Sequence, residues 1–111
     1  MEIIIGVKYD PVFEHVIMFG SGGILVEILK DVSFRIIPIN KNDAFEMINE
    51  TKIGKIIQGY RGKKYDINSL VSVLLKISYF IEENKEVKEL DLNPVFLYEN
   101  GIYVIDARLI F

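Results

Sequence analysis

The sequence has 111 residues, 50% of them hydrophobic and 26% charged, with a formal net charge of −3, one histidine and no cysteine. That length and apolar content fit a single domain, residues 1–111, with a core of its own, and exclude a disordered chain. The missing cysteine excludes disulfides and thiolate sites. The acidic balance, with only Lys63 and Lys64 adjacent, argues against a nucleic-acid partner, and the short apolar runs argue against a membrane span. Met1-Glu2-Ile3-Ile4-Ile5-Gly6 has no basic stretch and no small-residue cleavage site, which predicts no signal peptide and a cytoplasmic setting.

Glu2 to Lys8 is rich in β-branched residues and predicts a strand, broken at Tyr9-Asp10-Pro11 because proline fixes φ and restrains the residue before it. Val12 to Phe19 predicts a second strand, so 2–19 reads as a hairpin. After the loop Gly20-Ser21-Gly22-Gly23, Ile24 to Leu29 and Val32 to Ile37 predict two strands joined at Lys30-Asp31, with Pro38 ending the second. Asn40 caps a helix over 41–50, with Asp43 completing a capping box. A short helix is expected over 51–58, then a polar loop over 59–65. Asp66 caps the longest helix, 67–84, where Ile67, Leu70, Val71, Leu74, Ile77 and Ile81 recur at helical spacing. Val73, Leu75, Tyr79 and Phe80 widen its apolar face, which predicts burial on more than one side and a partner surface, a second copy included. Two final strands, 87–98 and 101–110, meet at Glu99-Asn100-Gly101, where an Asn-Gly turn would need both central residues at positive φ. The order strands, helices, strands implies an α+β fold, an antiparallel sheet with two or three helices packed on it.

The final hairpin carries the most pointed chemistry. Asp91 and Asn93 are two apart and share a strand face, and the turn sets Asp106 opposite Asn93. Three oxygen donors in one ribbon suit Mg²⁺, although a solvated strand face with a bulge at Asn93-Pro94 explains the same spacing. Asp91 and Asp106 lie in apolar runs, which predicts burial and a cation or a positive partner to balance them. Gly22 and Gly23 could bring backbone N–H groups to a phosphate or form a plain turn; the loop matches no established phosphate-binding pattern. Arg61 could hold an anion through its guanidinium or be an exposed loop arginine. Arg35 and Glu27 are expected to form a structural ion pair. His15, the single histidine, is expected at the surface or half-buried, without a catalytic role.

Taken together, several blocks resemble the ADP-forming (NDP-forming) acyl-CoA synthetases. They are Gly6-Val7-Lys8, Asp10-Pro11, Val16 to Gly20, Gly22-Gly23, Glu27, Leu29 to Arg35, Arg61-Gly62, Glu89-Leu90-Asp91-Leu92-Asn93-Pro94 and Asp106-Ala107-Arg108. The resemblance covers essentially the whole chain and is to the carboxy-terminal part of the ATP-grasp domain, with succinyl-CoA synthetase beta chains as more distant relatives. It implies an acid–thiol ligase part that contributes Mg-nucleotide binding and phosphoryl transfer, with Mg²⁺ and ATP or ADP as cofactors. It implies Asn93 and Asp106 as metal ligands, and Asp91, Gly22, Gly23 and Arg61 on the nucleotide and phosphates. The partners implied are an amino-terminal ATP-grasp lobe and a CoA-binding, phosphohistidine-bearing subunit, neither of which has a counterpart here; on that expectation the chain is half of a site and inactive alone. Glu14-His15 also departs from the Gly-Pro expected in the family. The alternatives are a non-catalytic binding or regulatory remnant and a domain associated with a protein acetyltransferase.

Overall fold

A computed structural model of the chain describes residues 1–23, 31–59, 62 and 64–111. The strand expected over 24–29, with Glu27, and the candidate Arg61 lie outside these residues. The described elements are β1 (Glu2–Asp10), β2 (Glu14–Ser21), β3 (Val32–Ile36), α1 (Lys41–Asn49), α2 (Lys52–Ile57), α3 (Ile67–Glu83), β4 (Glu89–Leu97), β5 (Ile102–Val104) and β6 (Ala107–Ile110). The strands form one antiparallel sheet in the order β3-β2-β1-β4-β5, with β6 also pairing β4. The α+β reading and the positions of the three helices agree with the sequence expectation.

Alternation sorts the strand residues into two faces. Ile3, Ile5 and Val7 of β1, Ile17 and Phe19 of β2, and Leu90, Leu92, Val95 and Leu97 of β4 are buried against the helices. The helices answer with Ala44, Met47 and Ile48 of α1, Ile53 and Ile57 of α2, and Leu70, Leu74, Ile77 and Ile81 of α3. The opposite face of the sheet has no described layer over it. There Phe34 is 54% exposed, and Ile36 and Tyr9 are about half exposed.

Local capping sets the helix starts. Asn40 accepts from Asp43 N–H at 2.8 Å while Asp43 accepts from Asn40 N–H at 2.9 Å, the reciprocal box expected from the sequence. Thr51 caps α2 by accepting from Gly54 N–H at 2.9 Å. A Cβ at Gly54 would lie 1.7 Å from the Ile48 carbonyl oxygen, so only glycine lets α2 turn this tightly against α1. The start of α2 has a second tie that sequence reading missed. Asp31, taken as a turn residue, accepts from the N–H groups of Lys52 and Ile53 at 2.8 and 2.9 Å. Its negative charge sits where the helix exposes unsatisfied donors.

Other expectations change. Arg35 pairs with the end of helix α1: it meets Glu50 through both guanidinium nitrogens and lies 3.5 Å from Glu46, while its expected partner Glu27 lies outside the described residues. The hydrogen bond from Arg35 holds the Glu50 carboxyl below its ordinary range. His15 is buried more deeply than the surface or half-buried position expected. Its Nε2 lies 2.7 Å from the Val87 carbonyl oxygen, and its ring meets Tyr9 edge-on at 5.2 Å. At the hairpin turn only Gly101 has positive φ; Asn100 does not, because the loop spans residues 98–101 and not the two expected. Helix α3 buries one stripe and leaves Tyr79 65% and Phe80 39% exposed, so its apolar width is only partly used.

Glu14 has φ 63°, in the left-handed region that costs an L-residue roughly 1–2 kcal/mol. Glu14→Gly removes that strain but adds glycine's own entropic cost of about 0.5–1 kcal/mol, so a net stabilisation of roughly 0.5–1 kcal/mol is expected. Urea unfolding should show a higher midpoint at unchanged slope.

Candidate nucleotide face

The exposed sheet face is where the candidates Asp91, Asn93 and Asp106 lie, side by side on β4 and the edge next to it. Asp91 pairs in register with Gly6 of β1 on one side and with Arg108 of β6 on the other. Register runs unbroken from Asp91–Arg108 to Leu97–Ile102, so Asn93 stands opposite Asp106. Their backbones are tied directly, Asn93 N–H donating to the Asp106 carbonyl at 3.2 Å. Toward β1 the register shifts between Ile3, which pairs Val95, and Ile5, which pairs Leu92. Asn93-Pro94 is therefore a bulge with one extra residue in β4. It resets the alternation: Leu92 and Val95 are both buried, while Asn93 is exposed. Bulges commonly re-aim a side chain in this way.

The expected burial of Asp91 and Asp106 is not found. Asp91 is exposed, and the Asp106 side chain is 57% exposed. Both runs looked buried because they are apolar. However, β5 and β6 are the edge of the sheet, and residues 103–111 are all exposed. Solvation, and an arginine whose Nε is 3.9 Å from Asp106, supply the balancing interactions that burial would have demanded. Among the described residues no three His, Cys, Asp or Glu side chains form a group able to hold a metal. Asn93 and Asp106 are nonetheless hard oxygen donors on an accessible face. Mg²⁺ typically takes one or two such protein ligands and completes its shell with water and phosphate oxygens, so the donor set fits that ion.

The glycine loop has a structural job of its own. Gly22 N–H donates to the Glu2 carbonyl at 3.0 Å, and a Cβ at Gly22 would lie 2.7 Å from Glu2 Cγ and 3.0 Å from the Glu2 carbonyl carbon. Gly23, at φ 86°, adopts a conformation glycine tolerates best. At the other end of β1 a shallow concavity of about 560 Å³ opens on the same face. Gly6, Val16, Met18 and Phe34 are among the residues that form its apolar part, with Lys8, Asp10, Glu89 and Asp91 as its charged ones. Lys8 lies 3.9 Å from Glu89, an exposed pair of little energetic weight. Sequence reading did not single out this concavity, because its lining comes from four strands and one turn.

Asp66 holds the hairpin that bears Asn93 and Asp106. Its carboxylate accepts from Ser69 N–H, from the Ser69 hydroxyl at 2.7 Å and from Gly101 N–H at 2.8 Å, while its own N–H donates to the Tyr98 carbonyl. The helix cap and the turn clamp are thus the same side chain.

A family model described as an ATP-grasp domain matches residues 1–111. The chain belongs to the ATP-grasp family. It is 55% identical over 113 residues to the beta subunit of ADP-forming acetate–CoA ligase II from Pyrococcus furiosus, covering 98% of this chain and 48% of that subunit. It is 52% identical to the ADP-forming acetate–CoA ligase of Methanocaldococcus jannaschii, covering 99% of this chain but 16% of that ligase. The chain thus spans about half the length of the beta subunit and a smaller fraction of the single-chain ligase. Among solved structures, a dinucleotide-forming acetyl-coenzyme A synthetase of Ca. Korarchaeum cryptofilum, in complex with coenzyme A and Mg-AMPPCP, superposes with a TM-score of 0.92 at 45% identity, over 98% of this chain and 52% of that one. This ATP-grasp chain therefore shares both sequence and fold with proteins that handle acyl-CoA and nucleotide. No described helix is long and apolar enough to cross a membrane.

Two outcomes follow from this geometry. Gly22→Ala should cost roughly 1–3 kcal/mol of stability with no ligand present, because the new methyl meets the Glu2 backbone; chemical denaturation measures it. Asp66→Ala should cost roughly 2 kcal/mol, about 1 for the helix cap and about 1 for the turn bond. The Ser69 hydroxyl, then the Ser69 and Gly101 N–H groups, hold the folded Asp66 carboxyl below its ordinary value. Its stabilisation is therefore present above the unfolded value of about 4 and is lost as pH falls through the lower folded value. Acid unfolding of Asp66→Asn should depend less on pH in that window than wild type.

Proposed function

We propose that the open face of the sheet is one wall of a Mg-nucleotide site, and that the chain serves as the carboxy-terminal ATP-grasp lobe of an ADP-forming acyl-CoA synthetase. The observation that carries this reading is the pairing of Asn93 with Asp106 across the β4 bulge, on a face whose opposite side is fully occupied by helices. Identity of 55% to a beta subunit that forms ADP supports the same reading.

On this reading Asn93 and Asp106 would hold Mg²⁺, which supplies charge neutralisation between phosphate oxygens. Asp91, flanked by Gly6 and Arg108, lies beside them and repels misplaced anionic groups, so it favours phosphates that arrive with the metal. Gly22 lies nearest the Glu2 end of β1. Because its N–H is engaged by Glu2, its contribution is close backbone approach more than a free donor. Arg61 is the proposed phosphate contact from the polar loop. The half-exposed Phe34 and Ile36 lie on the face that a second lobe and the nucleotide would cover. The remaining parts of the reaction fall to partners: an amino-terminal lobe that closes over the nucleotide, and a subunit carrying coenzyme A and the phosphohistidine.

A wall without its opposing lobe encloses little of a ligand. The 111-residue chain titrated with Mg-ADP by calorimetry should therefore bind weakly or undetectably, and adding the amino-terminal half of a related beta subunit should raise the affinity. Tight stoichiometric binding by the chain alone would contradict the two-lobed reading. In the enzyme reconstituted with that half and a phosphohistidine subunit, Asp106→Asn keeps the side-chain shape and removes one charge. Loss of one oriented electrostatic stabiliser costs about 3 kcal/mol of barrier, so acid-dependent ADP formation should fall roughly a hundredfold. Unchanged turnover at limiting Mg²⁺ would assign Asp106 a structural role.

A further inference from the structure

Helix α3 has a second face that neither the core nor the nucleotide reading uses. Lys76, Tyr79, Phe80 and Glu83 stand at i, i+3, i+4 and i+7, so they form one stripe along the helix. All four are exposed, and the stripe lies opposite the buried one of Leu70, Leu74, Ile77 and Ile81. Two adjacent aromatic side chains are thus framed by a cation and an anion. Neither charge has a partner at hand. The helix offers Lys76 no carboxylate, and Glu83 no cation, three or four residues away. Among the described residues neither forms an ion pair. Glu83 also lies in the last turn, which has no basic residue, at the negative end of the helix dipole, where a cation is favoured. Beside the stripe, a shallow groove of about 690 Å³ has Lys41 on one side and Val71, Leu75, Lys76 and Tyr79 on the other.

We infer that this stripe packs antiparallel against the same stripe of a second copy, about a two-fold axis between Tyr79 and Phe80. In that register Tyr79 of each copy opposes Phe80 of the other, and Lys76 opposes Glu83. Two ion pairs then frame four aromatic rings, and each carboxylate at a helix end gains the cation its own helix lacks. An axis two residues earlier, between Ile77 and Ser78, also matches stripe to stripe. It sets Lys76 against Tyr79 and Glu83 against Ser72, leaving every charge unpaired. A parallel pair sets Lys76 against Lys76 and Glu83 against Glu83. Charge complementarity therefore selects the antiparallel register at Tyr79 and Phe80. The end of the second helix, Glu83 and Asn84, then lies over Lys76 and Leu75, and so covers the groove beside the stripe. Helix α3 packs on the sheet face opposite to Asp91, Asn93 and Asp106, so the pairing leaves the nucleotide face open in both copies. A two-fold interface of this kind uses one patch twice and closes on itself.

The test uses the whole chain without metal or nucleotide, so its result is separate from the fate of the nucleotide reading. Sedimentation equilibrium in low salt should show a dimer. Lys76→Glu and Glu83→Lys each replace two opposite-charge contacts with two like-charge ones, and each should weaken the dimer roughly thirtyfold. Mixing the two variants should restore a dimer of one of each. One copy then carries only carboxylates at these positions and the other only ammonium groups, so every contact is again between opposite charges. That rescue cannot arise if either variant is merely misfolded. Tyr79→Ser, at an exposed position, should disperse the dimer too. A wild-type chain that stays monomeric at millimolar concentration overturns the inference. So does a mixture no tighter than its components. A dimer indifferent to all three changes lies on another surface, and overturns it as well.

Discussion

Strand β4 hydrogen-bonds to β1 on one side and to β5 and β6 on the other, so its conformation is imposed on three strands at once. Its constraint is the odd residue at Asn93-Pro94. A strand of strict alternation with Leu90 and Leu92 inward would turn Pro94 inward and Val95 outward. The bulge lets Leu92 and Val95 both enter the core, and so keeps both aliphatic side chains buried while Asn93 remains on the open face. Each such side chain contributes roughly 1.5–3 kcal/mol when fully buried, far more than a local irregularity costs. The same irregularity brings Asn93 opposite Asp106. Core packing and the candidate site therefore share one structural solution.

The two faces of the sheet divide the labour. The helix face is fully packed, and its buried polar groups are each spoken for: Ser33 donates to Met47, Ser78 accepts from Ile39, and His15 meets Val87. No buried side-chain polar atom among the described residues lacks a partner. The open face is the opposite case, with aromatic side chains and carboxylates in view of solvent. Rigid packing behind and accessible chemistry in front is what a ligand wall requires, since positioning comes from the scaffold and not from the exposed residues themselves.

Charge placement follows the same economy of partners. Asp31 and Asp66 each serve two segments at once, Asp31 joining the chain before β3 to α2, and Asp66 joining α3 to the β4–β5 turn. Arg35 ties β3 to α1 through Glu50. These ties cross between sheet and helices, where hydrophobic burial is non-directional and cannot fix register by itself. The carboxylates of the open face make no such ties, which leaves them open to water and cations.

Local signals in the sequence determined the helices and most strands. Asn40 with Asp43, Thr51 and Asp66 are caps whose donors lie three residues away, so short-range chemistry alone set those boundaries. The register of Asn93 opposite Asp106 was likewise legible, because hairpin pairing is set by the turn and by chain connectivity. What tertiary structure decided is everything that depends on distant neighbours. The exposure of Asp91 and Asp106 came from β6 lying at a sheet edge, and an apolar run looks the same in sequence whether or not anything covers it. The partner of Arg35, the burial of His15 and the role of Asp31 each depend on segments at least 15 residues away, Glu50 for Arg35, Val87 for His15 and Lys52 for Asp31. Sequence spacing holds no record of such contacts; only folding the chain brings those groups within hydrogen-bonding reach.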